Sequence, residues 1–170
     1  MVLGLSLAAF TKLHVIISLV GIAGGLAFFG ALIVGRWLSV WNGLFLIFTI
    51  LTSVTGFFFP PKPIGPPFIF GLVSLVLLAA ALFALYGRKA GGGWRKVYIA
   101  TALVAQWLNM VVLVVQSFQK IPALHALAPL GNEPPVLAAQ AAVALLVLIT
   151  AWKVLRPRHA GGLPPDLVAG

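Results

Sequence analysis

The sequence predicts an all-α protein, a polytopic bundle of five transmembrane helices, and three observations predict it. The chain of 170 residues is 62% hydrophobic and 8% charged, whereas soluble domains carry about a quarter charged residues. Five apolar runs reach the length of about 20 residues that a helix needs to cross the hydrocarbon core. The basic residues gather at alternate connections between those runs, the distribution expected of a multi-pass chain.

The first run covers roughly 13–35, from "LHVIISLVGIAGG" to "ALIVG". The segment before it, "MVLGLSLAAF", lacks a basic flank and a small-residue cleavage site, so it reads as an interfacial lead-in rather than a signal peptide. The second run, roughly 39–59, stops at Pro60 and Pro61, and its short connection to the first demands an antiparallel hairpin. The third, roughly 68–87, follows "PPKPIGPP"; the fourth, roughly 97–118, follows "GRKAGGGWRK". The fifth, roughly 136–155, opens after Pro134 and Pro135 and closes at "RPRHAGG". Residues 1–158 thus read as one transmembrane domain and 159–170 as a flexible cytoplasmic tail.

Five spans place the termini on opposite sides, which sorts the eleven Lys and Arg residues. Arg36, Arg88, Lys89, Arg95, Lys96, Lys153, Arg156 and Arg158 fall on one side; Lys12, Lys62 and Lys120 fall on the other. The positive-inside bias then puts the C-terminus in the cytoplasm and the N-terminus outside. Trp37, Trp41, Trp94 and Trp152 lie near the basic ends, as interfacial anchors do.

Composition also excludes chemistry. Glu133 and Asp166 are the only carboxylates, and there is no cysteine, so paired-carboxylate and thiol mechanisms are unsupported. No phosphate loop, nucleophile motif or zinc-protease motif is present, and the balance is against an enzyme. The net charge of +9 belongs to membrane topology rather than to nucleic acid, because the basic residues sit in short loops between apolar runs.

The polar residues inside the spans carry what functional signal there is. Gln106, Asn109, Leu113, Gln116 and Lys120 recur at steps of three and four, one seam along the fourth helix. His14, Ser18, Gly21 and Gly25 repeat the pattern in the first, with Gly21 and Gly25 forming a GxxxG pair, and Thr49, Thr52, Ser53 and Gly56 line one side of the second. Such stripes let backbones approach and hydrogen-bond where lipid offers no partner. They predict a packed core of spans one, two and four, with Asn42 solvated at the basic interface. By depth, His14, Ser18, Thr52, Ser53, Asn109, Gln116, Lys120, His125, Glu133 and Gln140 form the candidate ligand set, most of them toward the outer side. Lys120 can snorkel into water, pair with Glu133 or meet an anionic headgroup, and "NEPP" also reads as a plain helix start.

"LTSVTGFFFP", "LVVQSFQKIPALHALAP" and "NEPPVLAAQ" resemble the recurring segments of a family of small, uncharacterised bacterial multi-span integral membrane proteins. The likeness runs from about His14 to Arg158. It implies a bacterial origin and residence in the inner membrane, and it carries no reaction or ligand with it.

Three functions compete at this stage. The first is a pocket between spans one, two, four and five that binds a lipid, a quinone or another amphipathic small molecule. The second is an accessory or scaffold subunit that meets another membrane protein or its own copies through the seams. The third is haem or metal binding through His14 and His125, for which a metal would need a third ligand such as Glu133.

Overall fold

A computed structural model describes residues 1–60 and 65–156. Six α-helices and one π-helical turn account for most of them: α1 (Leu7–Ile33), α2 (Ser39–Gly56), α3 (Pro66–Leu82) continuing through the π turn Phe83–Gly87, α4 (Trp94–Lys120), the short α5 (Pro122–His125) and α6 (Pro134–Val154). No strand occurs among the described residues. Five helical segments are long and apolar enough to cross a membrane, so the all-α bundle of five spans stands. Lys62, Arg158 and the tail 159–170 lie outside the described residues.

The ends of the helices differ from the sequence expectation for local reasons. Ser6 Oγ accepts the Ala9 N–H at 3.2 Å and caps α1, so the helix starts at Leu7 and takes in the last four residues of the expected lead-in. Phe10, one turn in, is 1% exposed. After α1 the chain turns at Gly35, whose φ of +77° is open to glycine at no steric cost. Pro66 and Pro134 occupy the first turns of α3 and α6, where a missing N–H costs no hydrogen bond. The segment around His125, read as a loop, includes the helical turn α5.

Helix α4 is the hub: it packs against α1, α2, α3, α5 and α6, while α1 also meets α2 and α6, and α2 meets α3. The larger apolar cluster lies in the half of the bundle that carries the basic residues. There Phe28, Phe45, Leu78, Tyr98, Ile99 and Val154 are essentially inaccessible. A small second cluster, Phe118, Ala128 and Val136, joins α4, the segment after α5 and α6 at the opposite end.

The α1–α2 hairpin closes on Gly21 and Gly24 rather than on the GxxxG pair. A Cβ on Gly24 would stand 2.9 Å from the Phe45 backbone nitrogen, and one on Gly21 would stand 3.2 Å from that of Thr49. Gly25 faces α4 instead, where a Cβ would overlap Gln106 Oε1. The GxxxG spacing thus serves two neighbours, with Gly24 as the tightest approach to α2.

Asn42 is not solvated as expected. It is 4% exposed, and its Oδ1 accepts the hydroxyl of the buried Tyr98 on α4. Its position near a helix end suggested water; the neighbouring helix supplies the partner.

Candidate functional site

The polar residues divide into a ladder between helices and a histidine site at the end opposite the basic residues. The ladder hangs on α4. Gln106, 2% exposed, donates through Nε2 to the Ile22 carbonyl of α1 at 3.1 Å. One turn on, Asn109 Nδ2 donates to the inaccessible Thr49 Oγ1 of α2 at 3.2 Å. On another side, Gln140 of α6 donates through Nε2 to the Val111 carbonyl at 3.1 Å. Each bond satisfies a polar group that lipid would leave unpaired, contributing on the order of 0.6 kcal/mol. Of the predicted ligand set, Asn109 and Gln140 therefore bind helices together.

Other members are satisfied within their own helices. Ser18 Oγ donates to the His14 carbonyl at 2.8 Å, and Thr52 Oγ1 donates to the Phe48 carbonyl at 2.7 Å. Ser53 is buried on α2, at 6% exposure. Gln116 and Lys120 are exposed near the end of α4, and His125 is exposed on α5. The structure does not gather these residues into one cluster.

Glu133 stands at the start of α6, but its carboxylate serves the preceding loop. Its Oε1 accepts the Leu130 N–H at 2.7 Å and its Oε2 accepts the Asn132 N–H at 3.0 Å, so the carboxylate closes the loop on itself instead of pairing with Lys120. Desolvation pushes this carboxyl upward, but the backbone donors of Leu130, Glu133, Asn132 and Gly131 outweigh it, and the pKa lies below the ordinary Glu value. With the folded value depressed, the stabilisation of the loop is present above the unfolded pKa and is lost as pH falls through the folded one. Hydrogen exchange at the Leu130 and Asn132 amides, corrected for intrinsic rates, should therefore show protection at pH 7 that disappears in acid. A Glu133→Gln chain should lack that pH dependence, and undiminished wild-type protection at pH 3 would show that another group holds the loop.

Unlike the exposed Gln116, Lys120 and His125, His14 combines partial burial with one ring nitrogen held and the other without a partner among the described residues. It sits half-buried on α1, with Nδ1 2.8 Å from Thr55 Oγ1 on α2. The Thr55 hydroxyl donates its proton to the Leu51 carbonyl at 2.7 Å, with a longer 3.3 Å contact to Thr52 O. With its hydroxyl engaged at the Leu51 carbonyl, Thr55 Oγ1 accepts from His14, the tautomer in which Nδ1 carries the proton and the Nε2 lone pair is an acceptor. Phe59 meets the imidazole edge-on at 5.1 Å and 85°, and Phe10 lies 5.0 Å from Phe59. An aromatic wall and the second ring nitrogen of His14 thus coincide at the end of the α1–α2 hairpin opposite the basic residues.

Sequence reasoning marked His14 but not its aromatic neighbours. Phe59 was read only as the end of a span, and Phe10 as lead-in, because neither spacing nor composition tells a wall from a helix end. Trp107 was also missed: its Nε1, like Gln106 Oε1 and Gln140 Oε1, is buried without a hydrogen-bond partner among the described residues. No group of three His, Cys, Asp or Glu side chains that would hold a metal ion occurs among the described residues, and His14 and His125 stand on separate elements, the second exposed. No family model, curated protein or solved structure matches this chain.

Proposed function

We propose that the protein is a bacterial inner-membrane binding protein, not an enzyme, that holds an amphipathic small molecule of the lipid or quinone class at the outer end of the bundle. The observation that carries this reading is the uncommitted Nε2 of His14 beside Phe59. A lone-pair acceptor fixed by a hydrogen bond to Thr55 suits the hydroxyl of a quinol or of a lipid headgroup, and the rings suit its apolar body. Exposed Gln116 and Lys120, at the same end of the bundle, extend the polar surface that a headgroup would meet. The outer placement is supported by the concentration of basic residues at the other end.

Native mass spectrometry of the protein extracted in mild detergent, with a visible spectrum of the same sample, tests the reading. The expected result is a stoichiometric lipid or quinone adduct on the wild type. His14→Phe, which keeps a ring and removes Nε2, should retain it up to about tenfold less tightly, the worth of one hydrogen bond. A bare wild type, an adduct indifferent to His14→Phe, or a Soret band would each overturn the assignment. A scaffold or homo-oligomeric role is favoured by a separate observation, that α6 buries the smallest share of its surface among the five spans. The same spectrum reads its signature as a multimer without ligand.

A further inference from the structure

The least buried span carries a pattern of its own at the end opposite His14. Leu148, Ile149, Trp152 and Lys153 follow one another at steps of one and three, which puts them on one face of α6, and Arg156, two residues past its end, folds back onto Trp152 of that face. Leu148, Ile149 and Trp152 are 65%, 44% and 56% exposed and line a shallow apolar groove. Lys153 and Arg156, both exposed, stand above it at the basic end. The face is therefore apolar below and cationic at its rim.

Arg156 is held in place: its Cζ lies 3.4 Å from the centre of the Trp152 ring. Stacking engages the flat face of a guanidinium and leaves the N–H groups around its edge free to donate in the plane, the geometry that suits phosphate oxygens. Among the described residues the only acidic side chain is Glu133, which stands at the other end of α6, about 30 Å away at about 1.5 Å per residue.

We propose that this face of α6 is a binding site for one anionic phospholipid of the surrounding bilayer. An acyl chain lies along Leu148, Ile149 and the Trp152 ring, and the phosphate sits at Lys153 and the guanidinium edge of Arg156. Charge complementarity selects the anionic headgroup; the groove requires that it arrive on a hydrophobic chain. The site is independent of the His14 reading, because it lies at the other end of the bundle.

The test is delipidation of the full chain in a maltoside detergent, followed by native mass spectrometry with phosphatidylglycerol or phosphatidylcholine added back. Phosphatidylglycerol should be retained preferentially, and Lys153→Gln and Arg156→Gln should each lower that preference by about fivefold, the effect of one basic residue near an anionic surface. Trp152→Leu, which keeps the groove apolar and removes the stacking partner, should lower it as well, while far-ultraviolet circular dichroism verifies each fold. Arg88→Gln, on a different element, should leave it unchanged. Equal retention of the two lipids, an equal effect of Arg88→Gln, or displacement of phosphatidylglycerol by millimolar inorganic phosphate would overturn the proposal.

Discussion

Truncating Tyr98 to alanine is expected to destabilise the bundle by about 3–5 kcal/mol, the range for buried aromatic truncations. The side chain is inaccessible and stands where α1, α2 and α4 meet, 5.7 Å from the Trp37 ring and 6.4 Å from the Phe28 ring, centre to centre. Its removal leaves a cavity between helices, and it strands Asn42 Oδ1 on a residue only 4% exposed. The two losses are separable. Tyr98→Phe keeps the ring and removes only the hydroxyl, so it should cost about 1–2 kcal/mol. Unfolding by SDS in mixed micelles measures both variants against the wild type. If Tyr98→Phe cost as much as Tyr98→Ala, the hydrogen bond and not the ring packing would be what holds the three helices.

Gly25→Ala is the second large effect, expected at about 1–3 kcal/mol. An added Cβ would overlap Gln106 Oε1 and come within 2.9 Å of Phe45 Cδ2, so the Gln106 side chain would have to move. It cannot move without loosening its bond to the Ile22 carbonyl. The strain therefore depends on Gln106, and a double-mutant cycle exposes that dependence. Gln106→Ala alone removes the ladder bond; combined with Gly25→Ala it should recover most of what the glycine substitution costs. Strict additivity of the two changes would mean that the contact with Phe45 is the obstacle and that Gln106 yields freely.

Both effects arise from the same feature, helix backbones drawn close enough that small side chains and single hydrogen bonds decide the fit. In lipid, apolar burial gives little preference for helix over helix, so shape and polar pairing take on that role. The ladder Gln106–Ile22, Asn109–Thr49 and Gln140–Val111 ties α4 to α1, α2 and α6 in turn. The polar seam read from the sequence is in this part the mortar of the bundle. His14, whose Nδ1 bond leaves the second nitrogen open, is where that description stops sufficing.

The five spans, their approximate limits and their polar seams were determined by the sequence alone. Length and hydropathy suffice for that, because the bilayer demands about 20 apolar residues with every backbone group paired within the helix. Local signals also marked where a helix starts, as at Pro134, whereas α2 ends at Gly56, four residues before the Pro60 that was expected to stop it. The earlier start of α1 was legible in principle, since Ser6 is a common capping residue, yet its weight depended on Phe10 finding a buried place. What the tertiary structure alone decided is which partner each polar atom takes. Helical spacing places Asn42 and Gln116 on a face but does not say what stands opposite. Only packing buries the first against Tyr98 and leaves the second exposed. In the same way His14 finds its partner in a chain of two hydrogen bonds reaching to Thr55 and Leu51 on another helix. Spacing along one helix constrains its faces, while partnership depends on the rotation and height of its neighbours, and those are properties of the folded bundle.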